Sequence, residues 1–233
     1  MISKKRIMLL DRALDVVGDR WSLLIVRELM IKPCRYTDLR EALSGIATNL
    51  LAYRLRDLET AGVIRVEYLA PPAASTVYVL TDWGWMLRSA VGGLLRWGAP
   101  LMVSGIGEDE NQGHWLVPAI ESMYSARPAT SRLPDLSILV QTDDGVAISV
   151  SSGSKTFDVA LAPTGFEPDV RIVGHADAIL GAFYGAQTSD LDVTVDGDAA
   201  ALARFAELTT HVEIADQLDA HARSTPDPTP TTT

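Results

Sequence analysis

The stretch ATNLLAYRLRDLETAG, Ala47–Gly62, decides how the first half of the chain folds. Leu51, Leu55 and Leu58 recur at i, i+4 and i+7, so they stack on one face of an amphipathic helix. At about 100° per residue, Asn49, Ala52, Tyr53 and Arg56 turn to the opposite face, with Thr48 at its edge. Gly62 follows the last apolar position and predicts a stop, because glycine enters the left-handed conformation without a Cβ clash. Residues 63–68 then read as a strand, 71–75 as a loop tip and 76–80 as the returning strand. A short helix, a turn, a second helix and a β-hairpin make a winged helix-turn-helix, whose second helix turns its outer face to a DNA major groove.

Working outward, Ile7, Leu10, Leu14 and Val17 give a first helix with an apolar stripe, preceded by Lys4-Lys5-Arg6. Asp19 is placed to cap the next helix by accepting orphan N–H groups of its first turn. That helix turns Trp21, Leu24, Ile25 and Leu29 inward and ends before Pro33, and Thr37 is the expected cap of the short helix through Leu43. After the hairpin, residues 83–97 read as one helix that is apolar on more than one side through Trp85, Leu87, Val91, Leu94, Leu95 and Trp97. A small domain cannot bury all of that, so this helix and the first are the expected seam of a homodimer.

The words around the central helix resemble a known family. ALDVVGDRWSLLIVREL (Ala13–Leu29), RYTDLREALSGIATNLLAYRLRDLETAGVIRV and YVLTDWG (Tyr78–Gly84) are similar, in order, to the HxlR-type bacterial transcription regulators. The resemblance covers roughly the first hundred residues and implies a homodimeric, DNA-binding winged helix. Members often carry a cysteine just before the first helix, where this chain reads Lys5-Arg6-Ile7-Met8-Leu9; a small hydroxyl residue often caps the recognition helix, where this chain has Ala47 then Thr48.

Net charge over the 233 residues is −10, which taken whole argues against nucleic acid. The charge is unevenly divided, however: residues 1–105 hold 14 Lys and Arg against 10 Asp and Glu, while the remainder holds 6 against 20. That asymmetry suits a DNA-reading half joined to an acidic half that avoids phosphate. The one cysteine, Cys34, excludes an intramolecular disulfide and CxxC metal knuckles; it reads as an inert buried thiol or, alternatively, an intermolecular redox switch. No signal-peptide core and no long apolar run appears, so the expectation is a cytoplasmic protein with no membrane partner.

Residues 98–113 are a break in composition, ending in the acidic run Glu108-Asp109-Glu110. Beyond it a helix is expected at 115–126, a hairpin at 136–142 and 146–150 around Asp143-Asp144-Gly145, strands at 155–161, 169–173 and 191–195, and helices at 175–184 and 198–208. The order of elements, with the phrases EPDVRIVGHADAILGAFYGAQ and DLDVTVDGDAAALARFAEL, resembles the sterol carrier protein type-two-like domain. That resemblance implies an α+β fold with a mostly antiparallel sheet and a pocket for a lipophilic ligand, although the same fold also serves for packing alone. The expected division is 1–100 winged helix, 101–112 linker, 113–218 sterol-carrier-like domain and 219–233 disordered tail.

For DNA reading, Asn49 suits an adenine edge and Arg56 a guanine or phosphate, with Thr48, Ala52 and Tyr53 beside them. The competing reading pairs Arg56 with Asp57 or Glu59. Arg35 and Arg40 are candidate phosphate contacts or solvated surface; at the wing, which has no basic residue at its tip, Ser75 and Thr76 are the candidates. The candidate ligand layer is Val170, Ile172, Ile179, Leu180, Phe183, Val193, Val195, Leu202 and Phe205, which reads equally as an ordinary core. For catalysis nothing converges. His114, His175, His211 and His221 lie far apart, Gly153-Ser154-Lys155-Thr156 lacks the opening glycine of a phosphate loop, and Asp192, Asp196 and Asp198 lack the closing glutamate of a calcium loop. The expectation is a non-enzymatic transcription regulator without metal or cofactor, whose partners are a double-stranded DNA operator, a second copy of the chain and a small apolar ligand. The alternative is a lipophilic-ligand carrier or scaffold whose helix-turn-helix serves protein contacts.

Overall fold

The computed structural model describes residues 8–71, 74–103, 112–125, 132–154, 156–183 and 191–209. The chain divides into two compact units, Met1–Val91 and Gly92–Thr233. Lys4-Lys5-Arg6, Ile7, Glu108-Asp109-Glu110, Lys155, Tyr184, His211, His221 and the 219–233 tail lie outside the described residues.

In the first unit, helices α1 (Leu9–Val17), α2 (Arg20–Ile31), α3 (Tyr36–Ala42) and α4 (Thr48–Thr60) precede the antiparallel hairpin β1 (Ile64–Leu69) and β2 (Ser75–Leu80). This is the winged helix-turn-helix that the Leu51, Leu55 and Leu58 stripe predicts: all three are buried, as are Ile25, Val26, Leu29 and Leu39 of the same unit. Helix α4 ends in a Schellman arrangement. Gly62, at φ 76°, donates its N–H to the Glu59 carbonyl, and Val63 donates to the Leu58 carbonyl, both at 2.9 Å. A third extended segment joins the hairpin, with Cys34 and Tyr78 exchanging N–H···O bonds of 3.2 and 2.7 Å.

Two expectations are corrected here. Thr37 does not cap α3; the helix begins a residue earlier, and the Asp38 carboxylate accepts the Arg35 N–H at 2.8 Å. A carboxylate in the first turn reaches back to an orphan donor better than a hydroxyl already inside the helix. The helix expected over 83–97 is two: α5 (Asp82–Trp85) and α6 (Arg88–Val103). The Thr81 hydroxyl accepts the Gly84 N–H at 3.0 Å and so caps α5, while Met86 and Leu87 form i→i−3 bonds to Trp83 and Gly84 that tighten the chain out of α geometry. Gly84 sits where a Cβ would lie 2.1 Å from the Val63 carbonyl oxygen, so a side chain there would push α5 off the base of the hairpin. Helix α6 runs through Val103, three residues into the stretch expected as linker.

The second unit, from Gly92, takes in most of α6 and continues with a single 3₁₀ turn (Gly113–Trp115) and helix α7 (Leu116–Ser125). Strands β3 (Leu136–Thr142), β4 (Ala147–Ser152), β5 (Phe157–Leu161), β6 (Val170–Gly174) and β7 (Val193–Gly197) form one sheet in the order β5-β4-β3-β6-β7. Helix α8 (Ala176–Phe183) lies between β6 and β7 in sequence, and α9 (Ala199–Thr209) follows. The β3–β6 pair is parallel and the other three pairs antiparallel, so the sheet is mixed but mostly antiparallel. Alternation sends Ile138, Val140, Ile148, Val150, Val170 and Ile172 to one buried face. The hairpin turn is the expected one: Gly145 has φ 85° and donates to the Thr142 carbonyl at 2.9 Å. Asp198 caps α9 by accepting the Ala201 N–H at 2.7 Å. No helix among the described residues is long and apolar enough to cross a membrane.

Candidate nucleic-acid interface

Helix α4 presents two unlike sides. Leu51, Leu55 and Leu58 face the core, Thr48, Asn49, Tyr53 and Arg56 are exposed, and Ala52 is half-buried between them. The start of the helix is held without a capping side chain, since Ala47 occupies the cap position. Two other groups compensate. The Asn49 Oδ1 accepts the Leu50 N–H at 3.0 Å, covering one orphan donor of the first turn. The Tyr36 hydroxyl, from the first residue of α3, donates to the Thr48 carbonyl at 2.8 Å and ties the two helices together.

The Arg56 side chain makes no hydrogen bond or ion pair among the described residues, so its guanidinium stays available to an incoming group. The competing partner Asp57 is instead 3.6 Å from Arg54, which also bonds Asp19 at 2.8 Å. Arg35 sits at the cap position before α3 and Arg40 in its last turn, and both are exposed. On the wing, Thr76 is exposed, whereas the Ser75 hydroxyl oxygen is buried and is not offered to a ligand. Arg65, nearer the base of the wing, is engaged by the Glu67 carboxylate and the Leu80 carbonyl.

Cys34 is buried, and its thiol donates to the Lys32 carbonyl at 3.4 Å. Burial, reinforced by the negative charge of Glu28, pushes its pKa up to about 12. At neutral pH it is therefore the protonated thiol, a poor nucleophile, which fits the inert reading.

In the second unit the candidate ligand layer is brought together. Val170, Ile172, Ile179 and Phe183 are fully buried, Phe205 nearly so, and Leu180, Val193, Val195 and Leu202 are half-buried at the margins. The Phe183 and Phe205 rings meet edge to face with centroids 5.7 Å apart. Among the described residues, no group of three or more His, Cys, Asp or Glu side chains could hold a metal ion.

The residues that sequence reasoning missed are Tyr36 and the Asp19–Arg54 pair. Asp19 is legible as a cap, but nothing local announces that its second oxygen takes a partner 35 residues away.

The sequence profile described as HxlR-like helix-turn-helix matches residues 16–104. Over 87 residues the chain is 30% identical to the HTH-type transcriptional regulator YvaP of Bacillus subtilis, covering 37% of this chain and 81% of that protein. It is 28% identical over 88 residues to the HTH-type transcriptional regulator YodB of the same organism, covering 38% of this chain and 79% of that one. Against the solved structure of reduced YodB the identity is 26%, with 42% of this chain and 98% of that chain covered and a TM-score of 0.37.

Proposed function

The chain belongs to the HxlR-like helix-turn-helix family through residues 16–104, and from that premise we propose that it is a homodimeric regulator reading an inverted-repeat operator with α4. The observation that carries the proposal is the exposed face of Thr48, Asn49, Tyr53 and Arg56 on a helix whose other side is buried leucine. A polar, arginine-bearing face on a helix seated on the core is what base-edge recognition needs. Arg35, Arg40 and Thr76 are assigned to the phosphate backbone, where they position the protein without reading sequence. Asn49→Ala and Arg56→Ala are each expected to weaken binding to operator DNA by about 1–3 kcal/mol with the fold intact. A gel-shift titration at fixed salt measures this, and equal binding by wild type and both variants removes the assigned face.

For the dimer, the support is apolar surface left open. Met8 before α1, Leu9, Leu10 and Leu14 on it, and Leu94 and Trp97 of α6 are exposed. An apolar cavity of about 440 Å³, lined by Val16, Val17, Val63, Trp83, Met86 and Leu87 among others, opens beside α1. Surface of this kind marks association sites. In the proposed homodimer the two α4 helices read half-sites about one DNA turn apart. Leu94→Glu leaves the protomer folded, because the side chain is exposed there, and is expected to convert a dimer at micromolar concentration to monomer. Light scattering that finds the wild type itself monomeric at that concentration sinks the seam.

We assign 1–100 to DNA reading and dimerisation and 113–218 to a sterol-carrier-like sensing role, in which a small apolar molecule enters between the sheet and α8 and α9. What supports the sensing role is the apolar layer around Ile172, Ile179 and Phe183. Such a molecule changes operator affinity only by favouring one arrangement of the DNA-reading helices over another.

A further inference from the structure

Asp19 spends its two carboxylate oxygens on different elements. Oδ1 accepts the Trp21 N–H at 3.0 Å and caps α2. Oδ2 accepts from Arg54 Nη2 at 2.8 Å, on α4. The same guanidinium places Nη1 3.6 Å from Asp57 Oδ2, and its carbon lies 5.4 Å from the centre of the Tyr53 ring. Its Nε is buried and has no hydrogen-bond partner among the described residues, so the group is held by its two outer nitrogens.

From this we infer that Asp19 and Arg54 form a clamp that sets the pose of α4 for base reading, both acting as positioning residues that do not touch DNA. The inference rests on the proposed reading of α4. The leucine stripe alone cannot set that pose, since hydrophobic contact is non-directional and tolerates small slides and rotations. A charge-assisted hydrogen bond fixes distance and angle together. Hydrogen bonds to base edges weaken steeply with misalignment, so a small rotation of α4 costs specific contacts first. The clamp also decides which arginine is offered to DNA. Arg54 faces two carboxylates, which leave the cluster net negative and unsuited to phosphate, while Arg56 is unengaged among the described residues. Through its contact with the Tyr53 ring, Arg54 steadies an exposed member of the reading face.

The test uses the full chain, a duplex enriched by wild type from a random double-stranded library, and a scrambled duplex of equal length. The variants are Asp19→Asn and Arg54→Met. Asparagine also caps helices, so Asp19→Asn keeps the first turn of α2 while giving up the charge that holds Arg54. For each variant, affinity for the enriched duplex is expected to fall about five- to tenfold. Affinity for the scrambled duplex stays level, or rises for Asp19→Asn, which removes a negative charge beside the DNA face. The double variant is expected to lose no more than the worse single one, because the two groups act as a unit. Two results overturn the clamp: enriched-duplex binding within about twofold of wild type, or an equal fall on both duplexes, which marks a general loss of structure. If Arg54→Met does not fold, Asp19→Asn alone decides the same comparison. A wild-type chain that enriches no sequence overturns the reading of α4 itself, and the clamp with it.

Discussion

Phe183→Ala is expected to destabilise the second unit by about 3–5 kcal/mol. The ring is fully buried at the end of α8, where it meets Phe205 of α9 edge to face. Its neighbours Ile172 and Ile179 are equally buried, and β6 is paired on both sides, so the surroundings have little freedom to collapse into the space left behind. Under those conditions the loss includes a cavity term besides the transfer energy of the removed ring. Urea denaturation of the full chain, followed by a probe in the second unit, measures the shift. The result also bears on the sensing role. A cost below about 1 kcal/mol would mean that the ring lines an open space already, as a ligand tunnel requires. A full cost means that the layer is a closed core in the free protein, and that an apolar effector has to displace side chains to enter.

Leu55→Ala is expected to cost the first unit about 2–5 kcal/mol, a large fraction of a small domain's stability. Leu55 is 2% exposed and lies between Leu51 and Leu58 in the stripe that seats α4. The residue beside it makes the contrast that gives the experiment its force. Arg56 faces solvent, so Arg56→Ala is expected to leave the melting temperature nearly unchanged while weakening DNA binding. Leu55→Ala should do the reverse at low temperature, keeping contacts to DNA in whatever fraction remains folded. Thermal unfolding beside gel-shift titration separates the two effects. A Leu55→Ala protein as stable as wild type would mean that the stripe does not hold the helix.

Several features are legible in the sequence because they depend only on near neighbours in the chain. The spacing of Leu51, Leu55 and Leu58 needs nothing but helical geometry to predict a buried face, and Gly62 needs only its freedom at positive φ to predict the stop. Asp19 and Asp198 as caps, and Asp143-Asp144-Gly145 as a hairpin turn, rest on the same kind of local chemistry. The halves differ in charge by composition alone, which points to DNA without reference to any fold.

What the tertiary structure decided are the matters that depend on elements meeting. Residues 83–97 read as one helix that is apolar on more than one side, yet they split into α5 and α6 where Met86 and Leu87 take i→i−3 bonds to Trp83 and Gly84, and Gly84 itself abuts the Val63 carbonyl, a contact that periodicity cannot register. Thr37 and Asp38 both suit the start of α3 by residue type, and only the backbone path selects the carboxylate. The apolar alternation at Val170, Ile172, Val193 and Val195 fits a tunnel as well as a core, and only the folded chain brings Phe183 of α8 edge to face with Phe205 of α9. The ion pair of Asp19 with Arg54 spans 35 residues, so it exists only once α2 and α4 have docked. Periodicity and capping act within a few turns of one element, whereas the direction in which a functional face points is set by bonds between elements.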